Sequence, residues 1–326
     1  MNRRAFLGTL AGGVVAVPRA AETQPPGRVY RVGVVLEGGP YLAMIDGLRL
    51  GLKELGFEER QRYVLLIRNV NGDLGAVAGA AKSLVEQDHV DVIYATANSV
   101  TLAVQQGTTK VPIIFNVGSD PVRTGFIKSF ANPGGRLTGV HTRSVDLVAK
   151  RLQILKEAVP KIRRGLCFYE PDNPGARTSL AEARGAASEL GITVVERQIR
   201  SVSDLRASLQ QLKGGETDAI FQVLDAMVNS QAALVADTAL AKRLPTMFNE
   251  RNAVTAGGLL SYSVDFYTVG RLTARYVHRV LLGASPATLP VEGFDKLELT
   301  VNLKTANAIG VTIAPSVLLR ADQVIG

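Results

Sequence analysis

The feature that most constrains the fold is one order of short sequence signals that occurs twice along the chain. The order is a leucine-glycine pair, then an aspartate followed by two apolar residues and an aromatic one, and then a basic residue that leads through a proline into an apolar run. The two copies are residues 55–56, 91–94 and 110–115, and residues 190–191, 218–221 and 243–248. Leucine-glycine at the end of a helical pattern is typical of a helix C-cap, and the apolar runs are typical of buried strands. The repetition therefore predicts two lobes of the same design.

Apolar runs alternate with helical periodicities in both halves of the chain. In the first half, the runs are residues 30–36, 63–70, 90–95 and 112–115. Between the first two runs, Ile45, Leu48 and Leu52 recur at helical spacing. Strands that alternate with helices indicate parallel pairing with right-handed crossovers. The sequence therefore predicts an α/β protein with two doubly wound parallel-sheet lobes.

The end of the chain departs from the repeat and is too short to build a third lobe. A long helix over residues 266–282, a half-exposed strand over 297–301 and a closing helix over 317–325 are expected there. We expect this tail to cross back between the lobes. The predicted lobe 1 is residues 29–140 and 265–290, and the predicted lobe 2 is residues 141–264 and 291–326. A three-segment hinge is expected near residues 138–142, 262–265 and 289–292.

Residues 1–28 are expected to form a signal peptide and a flexible lead-in. Arg3 and Arg4 precede two apolar residues, as in a twin-arginine signal, and an apolar small-residue region follows over 10–17. That region is too short for a stable membrane anchor. No cysteine lies near its end, so a lipid anchor is not expected. The pattern predicts export by the twin-arginine route to the periplasm, with a soluble mature form. The alternative is the basic start of a cytosolic chain.

Composition and motifs argue against several classes of protein. The 326-residue chain has a formal charge of +8, but no run of five basic residues and no basic-aromatic interleaving, which argues against a nucleic-acid partner. A single cysteine, Cys167, excludes an intramolecular disulfide, and no Cys, His and carboxylate cluster has metal-ligand spacing. No nucleophile elbow, dinucleotide fingerprint or phosphate loop occurs. We therefore expect no catalytic residue, metal or cofactor, and a protein that is not an enzyme.

Polar residues stand at the exit of nearly every predicted strand. Because the carboxyl ends of parallel strands form the ligand-binding edge of an open α/β sheet, two such edges facing each other would line a cleft. The helix starts after Ser99 and Asn173 would offer backbone N–H groups to a ligand carboxylate. The candidate ligand-binding residues are Tyr41, Asn98, Ser99, Ser119, Asp120, Asn173, Asp225, Glu250, Tyr262 and Asp265.

Two further kinds of ligand contact are available in this set. The carboxylates of Asp225, Glu250 and Asp265 would pair with a ligand ammonium group. The rings of Tyr41 and Tyr262 would stack on an apolar or aromatic part of the ligand. Each candidate, taken alone, is equally consistent with a cap or a turn residue.

The chain also resembles a known family over residues 28–326. The matching segments include GSDPV at 118–122 and PGGRLTGV at 133–140, and near the end residues 301–306 and 309–316. These segments are similar to those of substrate-binding proteins of ABC transporters, whose relatives include tryptophan- and tyrosine-type uptake proteins. The resemblance implies the type I periplasmic-binding fold, hinge closure on a small solute and delivery to an ABC permease in the inner membrane. The sequence of residues 37–42 differs from the one usual in the family, which leaves the ligand's identity open.

Three functions remain in order of preference. The first is an exported solute-binding protein of an ABC importer, which captures a small amino-acid-like or carboxylate solute. The second is a ligand-sensing module that acts through a separate signalling partner. The third is an enzyme on a related α/β fold, against which the missing motifs argue.

Overall fold

The computed structural model of the chain describes residues 28–326, so the predicted leader lies outside the described residues. Its strands are β1 (Tyr30–Leu36), β2 (Tyr63–Asn69), β3 (Val92–Thr96), β4 (Ile113–Val117), β5 (Leu137–His141), β6 (Arg164–Tyr169), β7 (Thr193–Gln198), β8 (Ala219–Phe221), β9 (Thr246–Phe248), β10 (Leu260–Val264), β11 (Glu292–Gly293), β12 (Leu297–Asn302) and β13 (Gln323–Ile325). Its α-helices are α1 (Leu42–Glu54), α2 (Val77–Glu86), α3 (Asn98–Gly107), α4 (Val148–Ala158), α5 (Pro174–Glu189), α6 (Val202–Gln211), α7 (Ala226–Ser230), α8 (Ala232–Ala241), α9 (Asn252–Thr255), α10 (Phe266–Leu281), α11 (Leu303–Ile309) and α12 (Pro315–Leu318).

The strands form two separate sheets. The first has the order β11-β5-β4-β3-β1-β2, and the second has the order β13-β12-β10-β9-β8-β6-β7. Every pairing in the first sheet is parallel. In the second sheet only β10 and β12 pair antiparallel. The predicted α/β class with two parallel-dominated sheets is confirmed.

Each sheet is covered by helices on both faces, as its near-continuous apolar strands require. Along β1, Val34 and Leu36 pack into one core cluster and Val35 into another. Along β6, Leu166 and Cys167 likewise pack into different clusters. Burial raises the pKa of the Cys167 thiol, which keeps it protonated and unreactive.

The chain passes between the sheets at three connections: β5 to α4, β10 to α10, and β11 to β12. Glu292 and Gly293, which the sequence analysis places in lobe 2, pair with Val140 and His141 of the first sheet. The last connection therefore follows Gly293. The strand pairing is decisive here because two residues cannot be assigned from periodicity alone.

The long helix α10 belongs to the first lobe because it packs closely on α1. Glycines make this approach possible: a Cβ atom at Gly47 would lie 1.9 Å from the carbonyl oxygen of Tyr267. A Cβ atom at Gly270 would lie 2.0 Å from the carbonyl oxygen of Met44. Two helices in backbone contact cover one face of the first sheet, and α10 thus begins where lobe 2 ends.

A buried arginine joins two of the connecting segments within lobe 2. The Arg151 side chain is 1% exposed, and its Nε donates to the carbonyl oxygen of Tyr262 at 2.7 Å. Its Nη1 donates to the carbonyl oxygen of Ser144 at 2.9 Å. Burial lowers the pKa of Arg151 to about 9. Ser144 follows β5 and Tyr262 precedes α10, so this side chain holds two connections side by side.

Two local predictions differ from the structure. The helix predicted over residues 317–325 is wrong: α12 ends at Leu318, and β13 then pairs with β12. The edge of β12 offers unpaired backbone groups, and pairing them outweighs a short helical pattern. The sequence also predicts a short amphipathic segment after Pro121, with Phe126, Ile127 and Phe130 on one side. The structure has a series of turns there, which buries Phe126 and Ile127 but leaves Phe130 exposed. Within residues 28–326, no helix is both long and apolar enough to cross a bilayer.

Candidate ligand-binding site

The carboxyl ends of the two sheets face each other, and the lobes are in contact there. The Nδ2 of Asn229, in lobe 2, donates to the phenolic oxygen of Tyr41, in lobe 1, at 3.2 Å. Two glycines of lobe 1 allow the end of α7 to come close. A Cβ atom at Gly39 would lie 2.5 Å from the carbonyl oxygen of Ser230, and one at Gly72 would lie 2.8 Å from Ser230 Oγ. The lobes are therefore drawn together.

A small cavity remains between the lobes, which we call the central cavity. Its volume is about 30 Å³. It is lined by Tyr41, Met44, Ala97, Asn98, Ser99, Asn116, Val117, Gly118, Thr142, Ser144, Asn173, Gly175, Leu224, Ala226 and Phe266. The Phe266 ring stacks on Tyr41, with 5.4 Å between centroids and 22° between planes. The lining thus combines a pair of stacked aromatic rings with polar side chains such as Asn98, Ser99 and Asn173.

Two larger hollows lie between the lobes on either side of the central cavity. The larger hollow, of about 720 Å³, is bordered by residues 71–75 of lobe 1 and residues 200–203 of lobe 2. The smaller hollow, of about 310 Å³, is bordered by Ser119 and Asp120 of lobe 1 and by the start of α5. Ser99 and Asn173 line all three spaces. The contact between these two helix starts therefore separates the central cavity from the hollows.

The start of α3 carries no side-chain cap. Its N-cap residue, Ala97, has φ 66° and ψ 161°, a conformation that is essentially restricted to glycine and costs about 1–3 kcal/mol. The Asn98 amide oxygen accepts from the backbone N–H groups of Gly118 at 3.0 Å and Ser119 at 3.2 Å and does not cap the helix. Asn98 and Ser99 line the central cavity, so the uncapped first turn of α3 borders it, and a helix start of this kind favours an anionic ligand group.

The start of α5 is arranged differently. The Asn173 amide oxygen accepts from the backbone N–H groups of Gly175 at 3.0 Å and Ala176 at 3.3 Å. Gly175 lies close to lobe 1, since a Cβ atom there would be 3.6 Å from Ser119 Oγ. The start of α5 is therefore capped by its own side chain. It contributes to the site by lying close to lobe 1.

Three buried carboxyl groups surround Tyr41. Burial is the main cause that raises the pKa of Glu37 well above its ordinary value, and Asp225 adds to the effect. Burial also raises the pKa of Asp225 to about 6 and that of Glu250 to about 7. For Tyr41 itself, burial and then Glu37 raise the pKa of the phenol. These three buried acids therefore lie behind the cavity lining rather than in it.

The structure brings together six of the ten predicted site residues around these spaces. Tyr41, Asn98, Ser99 and Asn173 line the central cavity, and Ser119 and Asp120 line the smaller hollow. Asp120 also ends its turn by accepting from the backbone N–H groups of Val122 and Arg123.

The other four predicted residues lie behind the site or beside it. Asp225 accepts from the backbone N–H groups of Glu170 and Val228, and Glu250 accepts from those of Asn252 and Ala253. Asp265 caps α10 by accepting from Thr268 N–H at 3.0 Å. Tyr262 packs against the core of lobe 2. Tyr262 and Asp265 border none of the three spaces.

Sequence reasoning missed Phe266, which lines the central cavity, and two residues directly behind that lining. These are Glu37, which accepts from Ser99, and Asn229, which donates to Tyr41. Glu37 directly follows β1, and a carboxylate at a strand exit is itself a signal that the sequence offers. Phe266 was assigned to a core helix. Asn229 lies in the short helix α7, for which the sequence has no pattern. Among residues 28–326, no group of three His, Cys, Asp or Glu side chains is placed to hold a metal ion.

A family model described as ABC transporter substrate binding protein matches residues 30–325. The chain belongs to this family. The match spans both lobes and all three connections. Members of the family are substrate-binding proteins rather than enzymes, so the resemblance stated above is confirmed.

Individual relatives of this substrate-binding protein share its length and fold. The "Tyrosine-binding protein" of Clostridioides difficile is 25% identical over 263 residues, which are 81% of this chain and 75% of that protein. A crystal structure described as an ABC domain in complex with L-Trp, from Streptococcus pneumoniae, is 26% identical and has a TM-score of 0.80, over 91% of this chain and 100% of that one. A conserved domain protein of Vibrio cholerae is 27% identical and has a TM-score of 0.83, over the same shares.

The fold is that of type I periplasmic binding proteins. In such a two-lobed substrate-binding protein, the ligand site lies where the carboxyl ends of the two sheets meet. The central cavity and its flanking hollows occupy that place in this chain.

Proposed function

We propose that this protein is the exported solute-binding component of an ABC importer and that it captures a small amino-acid-like solute. The observation that carries the proposal is the uncapped start of α3, which faces the space between the lobes beside a buried carboxyl group. An α-amino acid has one anionic and one cationic group, and these two protein groups complement them. The tyrosine- and tryptophan-binding relatives are in keeping with this class of solute.

Capture would proceed by closure of the lobes. Ligand groups that contact Ser99 in lobe 1 and Asn173 or Leu224 in lobe 2 stabilise the closed state and not the open one. A cavity of about 30 Å³ has room for only one or two water molecules. The side chain of a bound amino acid therefore extends from the central cavity toward one of the two hollows.

The test of solute binding is a thermal-shift screen of the twenty L-amino acids and of matched small carboxylates, followed by titration calorimetry. We expect at least one amino acid to raise the melting temperature and to bind with a stoichiometry of one. A flat response across the whole set would overturn the proposal.

Delivery and export are the other parts of the proposal. The closed lobes would present a surface to an inner-membrane permease, and the leader predicted from Arg3 and Arg4 would direct the chain to the periplasm by the twin-arginine route. Replacing both arginines by lysine should leave the unprocessed precursor in the cytoplasm in cell fractionation. Unchanged processing would argue against this route and leave solute binding unaffected.

A further inference from the structure

Glu37 is a fully buried carboxyl group with one oxygen unused. It follows β1 at the cleft edge of lobe 1 and has no exposed surface. Its Oε1 accepts from the Ser99 hydroxyl at 2.9 Å. Its Oε2 has no hydrogen-bond partner among residues 28–326. A buried acceptor oxygen without a partner destabilises the folded chain, most of all when its group is charged, unless a ligand pairs with it.

A second buried acceptor is also unused on the opposite side of the cleft. Asn229 is 1% exposed, and its Nδ2 is engaged with Tyr41. Its Oδ1 has no partner in the described part of the chain. Glu37 is hydrogen-bonded to Ser99 and Asn229 to Tyr41, and Ser99 and Tyr41 both line the central cavity. Two unused oxygens, one from each lobe, therefore belong to residues that lie directly behind the lining of the same cavity.

The charge of this region is one-sided. Around Glu37 the electrostatic partners are Ser99, a neutral hydroxyl, and Asp225, a second acid. Around Tyr41 they are three carboxyl groups and the Asn229 amide. Unpaired acceptor oxygens and carboxyl groups favour the binding of a cationic group that carries several N–H donors, because buried charges are stable only when paired.

We propose that Glu37 Oε2 and Asn229 Oδ1 bind the ammonium group of the ligand, and that the solute is therefore an α-amino acid and not a simple carboxylate. This inference rests on the proposed function and narrows its solute class. Ser99 joins the two ligand groups: its hydroxyl holds Glu37, and its backbone N–H lies in the uncapped first turn of α3, which receives the carboxylate. Glu37 is thus the residue that determines specificity for an amino group.

The first experiment needs only the unaltered protein. Calorimetric titration would compare three matched pairs that differ in the amino group: alanine with propanoate, leucine with 4-methylpentanoate, and phenylalanine with 3-phenylpropanoate. We expect any amino acid that binds to exceed its deaminated partner by about a hundredfold, because the loss of one partner of a buried ion pair typically costs 2–5 kcal/mol. Equal affinity within a pair would overturn the inference and leave solute binding intact. Absence of binding by these six and by every other L-amino acid of the screen would overturn both.

The second experiment changes the protein. Glu37→Gln keeps the shape and an acceptor oxygen but removes the charge. We expect about a tenfold or greater loss of affinity for the amino acid and little change for its deaminated partner. The matched control is Glu196→Gln, whose carboxylate pairs with Arg184 on the surface of lobe 2. An equal loss for both members of a pair in a folded Glu37→Gln protein would contradict the assignment.

Discussion

Asn229 and Tyr41 are 188 positions apart in the chain, and a hydrogen bond of 3.2 Å joins the amide nitrogen of the first to the phenolic oxygen of the second. The two residues belong to different lobes. Tyr41 also stacks on Phe266, the first residue of the helix that follows the second connection. The Tyr41 side chain of lobe 1 thus contacts both the opposite lobe and the helix that follows the second connection.

Replacing this tyrosine should weaken closure. Tyr41→Phe keeps the ring stack but removes the hydrogen bond to Asn229, which is worth about 0.5–1.5 kcal/mol. We expect a larger radius of gyration without ligand, by small-angle X-ray scattering, and a fall in ligand affinity of about 2- to 10-fold.

The control for this change is Tyr276→Phe. Tyr276 is also buried, and its hydroxyl donates to the carbonyl oxygen of Pro290 at 2.9 Å within lobe 1. The Tyr276→Phe variant should have a lower melting temperature but an unchanged radius of gyration and ligand affinity. If both variants behave alike, the Tyr41 contact does not govern closure.

A methyl group at Gly39 should hold the lobes apart. Gly39 has φ 57°, and a Cβ atom there would lie 2.5 Å from the carbonyl oxygen of Ser230, a backbone atom that cannot move without α7. Overpacking of this kind costs about 1–3 kcal/mol. Gly39→Ala should therefore reduce ligand affinity about 5- to 100-fold, measured by calorimetry.

Gly56→Ala separates this steric effect from backbone strain. Gly56 has φ 77°, in the same left-handed region, but a Cβ atom there would meet nothing within 4 Å. Both variants should lose similar stability, since both place alanine in an unfavourable conformation. Only Gly39→Ala should bind more weakly, and a matching loss in Gly56→Ala would refute the steric explanation.

Much of the fold follows from local patterns. The apolar run at residues 30–36 is β1, and the Leu-Gly pairs at 55–56 and 190–191 do stand just after α1 and α5. Period and caps are local properties, so a single sequence carries them. The pairing of Glu292 with Val140, and the strand at Gln323–Ile325, depend on which strand edges are unpaired in space. No local pattern contains that information.

The candidate site was predictable as a set of strand exits but not as a set of roles. Ser99 and Asn173 stand where the exit rule puts them, and both border the central cavity. Asp225 and Glu250 follow the same rule, yet their carboxylates are used by backbone N–H groups of their own loops. Glu37 differs from them only in lacking such partners, and that difference depends on how neighbouring segments fold around it.

The buried acid Glu250 should make stability depend on pH. Its pKa is raised from 4.5 to about 7, mainly by burial. Well below pH 4.5 the carboxyl group is neutral in both the folded and the unfolded chain. Between about pH 4.5 and 7 it ionises in the unfolded chain but not in the folded one, so the free energy of unfolding falls as the pH rises. The shift corresponds to about 3 kcal/mol.

Comparison with Glu250→Gln isolates this contribution. The variant has no titrating group at this position, so its unfolding free energy, from urea titrations at several pH values, should fall less between pH 4.5 and 7. The two curves should run parallel above pH 8. Parallel curves over the whole range would mean that Glu250 ionises normally in the folded protein.

Binding of an amino acid should release protons if Glu37 pairs with the ligand ammonium group. In the unliganded protein, burial and then Asp225 raise the pKa of Glu37, while the Ser99 hydrogen bond lowers it. The other groups that face this region are Tyr41 and, beyond it, Glu250. An ammonium group beside Glu37 favours its carboxylate form, so the liganded pKa is lower than the unliganded one. Affinity should therefore rise with pH between the pKa of liganded Glu37 and that of unliganded Glu37, and then level off.

Calorimetry of amino-acid binding in phosphate and in Tris, whose ionisation enthalpies differ, counts the protons released. We expect release of a fraction of one proton at a pH between the two pKa values, and less in Glu37→Gln. Proton uptake on binding would contradict the pairing.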